Sequence, residues 1–329
     1  MKALVTGASG FVGGAVLRFL AGQGVEARVL ARPGADPANW ESLPVETVSG
    51  DLEDAESLRR AVQGCRWIFH VAADYRLWVP DPVPMYASNV GGTEQLIRAA
   101  LDAGAERIVY TSSVAVLGFY GDGRSSDEKA PARLEDMIGH YKRSKYLAEE
   151  RVRSLCENEG APVVIVNPST PIGPADRKPT PTGRLVRDAA AGKIPAYVDT
   201  GLNVVHVDDV AAGHWLALHR GQTGQRYILG GDNLPLSAIL TRIAGLTGHS
   251  SPRWQIPRRF LYPLAWAGEQ WIRWRGYGTP LVTLDELRMA AHHMYFTSVK
   301  AENELGYSHR PAEEALRDAV AWFAGNGYF

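Results

Sequence analysis

The strongest constraint on this chain is its first half, where short apolar runs alternate with helix-length segments. "KALVTG" (2–7), "EARVLAR" (26–32), "VETVSG" (45–50), "RWIFHVAA" (66–73), "ERIVYTSS" (106–113) and "PVVIVNPS" (162–169) are strand-like. "FVGGAVLRFLAGQG" (11–24) and the stretches at 54–63, 84–103 and 140–159 carry helical patterns. Strands that alternate with helices of this length build βαβ units around a parallel sheet. Unbroken apolar runs such as Val163 to Val166 fit burial on both faces, because a half-exposed strand would alternate with polar residues. The expected fold class is α/β, a Rossmann-type doubly wound parallel sheet. The rhythm changes near residue 170, where "PSTPIGPADRKPTPTG" (168–183) is a proline-rich loop. Helical patterns follow near 236–247, 258–275, 280–293 and 312–325. We therefore place the first domain at 1–169 and a smaller, mainly helical substrate region at 170–329, with 204–230 returning to the first domain.

Composition narrows the class of function. The 329 residues are 45% hydrophobic and 22% charged, the balance of a globular protein. A formal charge of −1 gives no global nucleic-acid signature. No apolar run reaches the length of a bilayer span, and "MKALVTGASG" enters a strand directly, unlike a cleaved leader. Cys65 and Cys156 make no disulfide framework, and the nine histidines show no ligand spacing, so no metal is expected. The expectation is a cytoplasmic protein.

Chemistry first enters at "LVTGASGFVGGAV". Gly7, Gly10 and Gly13 fall between the first strand and first helix, where glycine permits a tight turn and close approach of backbone to a pyrophosphate. A helix N-terminus then presents free N–H groups to the phosphates. Ser9, Phe11 and Val12 complete this cofactor-binding turn. The second strand ends in Ala31 and Arg32 instead of the acid that holds an NAD ribose. Arg32 suits a 2′-phosphate, which favours NADP(H) over NAD(H); the alternative is a solvated strand-end charge.

"GHYKRSKYLAEE" (139–150) places Tyr141 and Lys145 four apart, on one face of a helix. An adjacent ammonium would lower the phenol pKa and make it a useful acid or base. The spacing also occurs by chance, and Lys142 and Tyr146 are decoys. Seven segments together carry a resemblance: "TGASGFVG", "GDL", "HVAA", "YTSSVAVLG", "YKRSK", "NPSTPIGP" and "VHVDDVA". In this order and spacing the chain resembles the extended short-chain dehydrogenase/reductases of the NAD-dependent epimerase/dehydratase family. Within them it is most similar to dihydroflavonol-reductase-like proteins and to those called hopanoid-associated sugar epimerases. The resemblance implies catalysis by Ser113, Tyr141 and Lys145. It also implies cofactor contacts from Asp51, Leu52, Val71, Ala72, Ala73, Pro168, Ser169 and Thr170, besides Tyr141 and Lys145 themselves.

The resemblance further implies a small-molecule substrate, with a hopanoid or another lipid-linked compound as a candidate. Val114 and Ala115 stand where dehydratases of the family carry an Asp-Glu pair. Arg32 and "NPSTPIGP" favour net reduction of an aldehyde or ketone by NADPH; a nucleotide-sugar epimerase is the alternative, and an NADP-sensing regulator is a third. Loops after the carboxyl ends of parallel strands bind ligands, so Ser113, Tyr75, Arg76, Trp78 and Pro171 are expected at the substrate. Arg177, Lys178, Arg184 and Arg187 either receive a diphosphate or form a solvated basic face. Finally, Phe260, Leu264, Ala267, Trp271 and Trp274 share one helix face flanked by arginines. That face either packs on the region's own core, or on a second copy in a homodimer, or lies on the inner membrane face as a peripheral contact.

Overall fold

The computed structural model describes residues 1–329. Its strands β1 (Lys2–Thr6), β2 (Glu26–Ala31), β3 (Val45–Ser49), β4 (Trp67–His70), β5 (Arg107–Thr111) and β6 (Val163–Pro168) are linked by helices. These are α1 (Phe11–Gly22), α2 (Ala55–Val62), α3 (Val83–Tyr86), α4 (Thr93–Asp102) and α5 (Gly139–Glu159). The remainder holds β7 (Thr170–Ile172), α6 (Pro181–Ala190), β8 (Ala196–Tyr197), β9 (Gly201–His206), α7 (Val207–Arg220), β10 (Arg226–Leu229) and β11 (Asp232–Pro235). It ends with α8 (Leu236–Thr247), β12 (Trp254–Gln255), α9 (Tyr262–Arg275), α10 (Leu284–Met289), β13 (His293–Met294), α11 (Val299–Leu305) and α12 (Ala312–Gly325).

Seven strands form one all-parallel sheet in the order β10-β6-β5-β4-β1-β2-β3. The doubly wound α/β class is thus borne out. Strand order reverses between β1 and β4, which opens the crevice where such sheets bind ligands. The pleat explains the unbroken apolar runs. Ala3, Val5, Val164 and Val166 face α1, α7 and α11, whereas Leu4, Val163 and Ile165 face α2, α4 and α5. Each of these valine, leucine and isoleucine side chains contributes roughly 1.5–3 kcal/mol when fully buried.

After β6 the chain builds a smaller sheet, in which β9 pairs with β7, β11 and β13, and helices α6, α8 and α12 cover it. It then crosses back: β10 pairs with β6, and α7 packs beside α1. Ala301, Leu305 and Tyr307 join the same core, a return that the sequence pattern did not show.

Three helical expectations change. The stretch at 84–103 contains a π turn, Ala87–Gly92, between α3 and α4. The pattern near 280–293 is helical only at α10, where a Thr283/Glu286 capping box starts it and the chain turns out into β13. Near 258–275, a 3-10 turn at Arg258–Phe260 precedes α9. α9 buries Ala265 and Glu269 while its aromatic face stays exposed. Packing of that face on the chain's own core is therefore overturned.

Candidate active site

Thr6 is the last residue of β1, and the chain turns at Gly7 with φ +74°. A Cβ on Gly7 would lie 2.7 Å from the Ala72 nitrogen, and one on Gly13 would lie 2.1 Å from the Gly7 oxygen. Neither position tolerates a side chain. α1 begins after Gly10 with no side-chain cap, so its first N–H groups are free to meet an anion. Ser9 is exposed, Val12 half-buried and Phe11 buried. This closed cradle and uncapped helix fit a dinucleotide pyrophosphate. The sequence reading missed Asn39, whose Nδ2 donates to the carbonyls of Ala8 (3.2 Å) and Gly10 (3.3 Å) and so clamps the turn from the loop after β2.

Arg32 follows β2, two residues beyond the Thr6–Leu30 pairing and hence level with the glycine turn. It is exposed and pairs with no carboxylate. Asp51 uses Oδ1 to accept from the Glu53 N–H at 3.0 Å, and its own N–H donates to Ser57 Oγ. Leu52 is buried against Gly92 of the π turn. Val71, Ala72 and Ala73 are half-buried beyond β4, and the Val71 and Ala72 N–H groups donate to Thr6 Oγ1. Thr6 therefore donates its own proton to His70 Nδ1 (2.9 Å), leaving Nε2–H to donate to Thr93 Oγ1 (2.9 Å). Burial pushes the His70 pKa down to about 3, and the ring is a neutral brace between β1, β4 and α4.

The groups expected to react come from the ends of β5 and α5. Ser113 lies two residues beyond β5, and its Oγ accepts from the Ala115 N–H at 3.1 Å. That leaves the hydroxyl proton free to donate. Tyr141 sits in the first turn of α5, half-buried, near enough to Ser113 for that hydroxyl to act on its phenol. Burial raises the phenol pKa, and the Ser113 hydroxyl pulls it back only partly. Lys145, one helical turn on, is buried and donates from Nζ to Tyr110 Oη (3.0 Å) and the Thr111 carbonyl (2.8 Å). Desolvation lowers the Lys145 pKa to about 7, with Glu149 opposing. The expectation that Lys145 lowers the phenol pKa is corrected here: its ammonium faces Tyr110 and Thr111, and desolvation of the phenol dominates. Lys142, the expected bystander, is buried without a hydrogen-bond partner, and burial lowers it to about 8. Tyr146 points its hydroxyl to the Ala132 carbonyl, away from this cluster.

Two buried amides hold the cluster in place. Asn89, in the π turn, accepts from the Asp74 N–H (2.8 Å) and donates to the Asp74 carbonyl (2.9 Å) and Ser144 Oγ (2.9 Å). Ser144 in turn donates to the Tyr141 carbonyl. Asn167 on β6 donates to the Ser113 carbonyl (3.0 Å) and to Glu149 (2.9 Å), which pairs with Arg226. The π turn was invisible to a helical periodicity search, since its extra residue per turn breaks the spacing without breaking the helix.

On the side expected to face substrate, the loop after β4 carries Tyr75, Arg76 and Trp78. Tyr75 is 39% exposed; burial raises its phenol, with Asp176 adding to this and Arg184 opposing. It thus stands across from the loop that leads into α6. Arg76 is exposed and bound to Asp74 (2.9 Å), and Trp78 is half-buried. Pro168 is buried, Ser169 and Thr170 are half-buried, and Pro171 shares a crevice with Phe11, Asp176 and Val186. Burial raises the Asp176 carboxyl to about 6, although Thr180 bonds it. Arg187 is taken by Asp188, whereas Arg177, Lys178 and Arg184 are exposed.

A doubly wound sheet with an uncapped helix at its switch point and a serine, tyrosine and lysine beside it defines a nicotinamide-dependent oxidoreductase. The model of the NAD dependent epimerase/dehydratase family matches residues 3–230, and the chain belongs to that family. Over 328 residues, 98% of this chain and 95% of the relative, it is 45% identical to a Synechocystis sp. protein named "Putative dihydroflavonol 4-reductase". It is 33% identical to sterol demethylase protein B of Methylococcus capsulatus, over 99% of both chains. Among solved structures, gox2253 superposes with a TM-score of 0.90 at 49% identity, covering 100% of this chain and 99% of that one. Relatives of this chain named for reductase or dehydrogenase activity support an enzyme, and the family is one of NAD dependent proteins.

Proposed function

We propose that the protein is an NADP(H)-dependent reductase of an aldehyde or ketone on an apolar, lipid-derived skeleton, such as a hopanoid side chain. The observation that carries this reading is Arg32: an exposed, unpaired guanidinium level with the glycine turn, where an NAD ribose would want a carboxylate. An exchangeable NADPH suits net reduction. The relative named for sterol demethylation supports an apolar substrate.

Gly7, Gly10, Gly13 and the α1 N-terminus would hold the pyrophosphate, Asp51 and Leu52 the adenine side, and Lys145 with Pro168 to Thr170 the nicotinamide side. When bound, the dinucleotide supplies the two electrons of the reduction. The chain's own groups manage the oxygen. Ser113 donates a hydrogen bond to the carbonyl oxygen, and Tyr141 gives that oxygen its proton. A phenol held protonated by burial is the right form for a reductase that starts from the carbonyl. Val114 and Ala115 offer no carboxylate for removal of water.

One observation favours a second reading, nucleotide-sugar epimerisation: Arg184 is exposed at the head of α6, across from Tyr75, where a diphosphate would find it. Incubation with NADPH and long-chain or triterpenoid aldehydes, with UDP- and GDP-sugars in parallel, separates the two. Net NADPH oxidation with an aldehyde is expected. Sugar interconversion without net oxidation would replace the first reading by the second.

A further inference from the structure

Between residues 254 and 281 the surface is unlike the rest of the molecule. Trp254, Phe260, Leu264, Trp266, Trp271 and Trp274 are between 56% and 79% exposed. On α9, Leu264, Ala267, Trp271 and Trp274 point opposite to Ala265 and Glu269, the two residues by which the helix is anchored. An apolar patch of this extent marks an interaction site.

Charge decides what fits it. Arg253, Arg258, Arg259, Arg273 and Arg275 border the patch, and none forms an ion pair. The single acid in the segment, Glu269, is buried and accepts from the Leu284 N–H at 2.8 Å. The outward face is therefore aromatic and cationic with no exposed anion. A second copy meeting it by two-fold symmetry would set arginines against arginines. An anionic bilayer has the complementary charge, and tryptophan prefers the headgroup level. No helix is long and apolar enough to cross a membrane, so the helix would lie on the surface.

We propose that α9 and its flanking turns dock the protein peripherally on an anionic lipid bilayer. The docking helix is one layer from the chemistry. α10 packs on α9, and its Asp285 is so close to Gly139 that a Cβ there would lie 3.0 Å from Oδ2, two residues before Tyr141. The docking rests on the surface alone; its consequence, that an apolar substrate reaches the site from the bilayer, rests on the reductase reading.

Co-sedimentation with phosphatidylcholine vesicles, with and without phosphatidylglycerol, tests the docking. Wild type should bind the anionic vesicles and release with rising salt. Trp271→Glu/Trp274→Glu and Arg273→Glu/Arg275→Glu should each lose about ten-fold or more in binding. Both pairs are exposed, so unchanged melting temperatures are expected and serve as the folding control. No binding by wild type overturns the proposal, as does equal binding by both folded variants. A dimer that both variants dissociate, without vesicle binding, assigns the face to self-association instead. Turnover of a short water-soluble aldehyde should be the same in wild type and variants, so loss of docking and failure of the reductase reading are separately visible.

Discussion

The two sides of the cleft are built by different means. On the proposed cofactor side, backbone does the work: Gly7 and Gly13 leave no room for a Cβ, and α1 offers bare N–H groups. Polar side chains there brace the backbone, as Thr6, His70 and Thr93 do between the strands and the Asn39 amide nitrogen does on the turn. On the proposed substrate side, side chains do the work, and many lie free: Tyr75 and Arg184 are exposed, and α9 holds its aromatics in the open. A pyrophosphate is the same ligand throughout a family and can be met by fixed backbone. Substrates differ, and side chains on loops can change without disturbing the sheet.

This contrast predicts that substitutions at the chemistry reduce rate, those on the cofactor side reduce binding, and those on the substrate side shift KM alone. Tyr141→Phe removes the proton donor and should lower kcat by about 10²–10⁴-fold with the NADPH Kd nearly unchanged. Turnover within a few-fold of wild type would break the assignment.

Lys145→Met should lower kcat by about 10²-fold and weaken NADPH as well. Its effect on stability has the opposite sign. The ordinary lysine value is 10.5 and the folded value about 7, so between these the unfolded chain binds more protons and wild-type stability rises with pH. The buried ammonium is thus a burden that is fully present below pH 7. Melting curves should place the variant at or above wild type at pH 6, with its relative advantage fading toward pH 10.5.

Arg32→Asp should weaken NADPH by on the order of 1–3 kcal/mol and spare NADH; fluorescence titration of both cofactors gives the ratio, and an unchanged ratio means Arg32 points elsewhere. Asn39→Ala removes the clamp on the glycine turn and should reduce stability by about 1 kcal/mol, with a parallel weakening of either dinucleotide. The smallest effect belongs to the substrate side. Alanine at Tyr75 or Arg76 should raise KM a few-fold without moving Tm, as befits exposed side chains. A fall in Tm there would assign them to packing and blur the contrast between the two sides.

Much of this arrangement was legible in the sequence because it depends on local rules. Alternating apolar runs and helices require a covered parallel sheet, three glycines at the strand-to-helix turn require a close backbone approach, and Tyr141 and Lys145 share a helix face by spacing alone. What the sequence left open depends on which distant residues meet. Asn39, Asn89 and Asn167 are ordinary amides until the fold sets them against Gly10, Asp74 and Ser113. The partner of Lys145 is Tyr110, from a neighbouring strand, and burial, which only the packed fold supplies, lowered the lysine and raised the Tyr141 phenol. The amphipathic face of α9 was visible as a pattern, but periodicity gives a stripe without saying what covers it. Only the tertiary structure, by anchoring the helix through Ala265 and Glu269, turned that stripe outward.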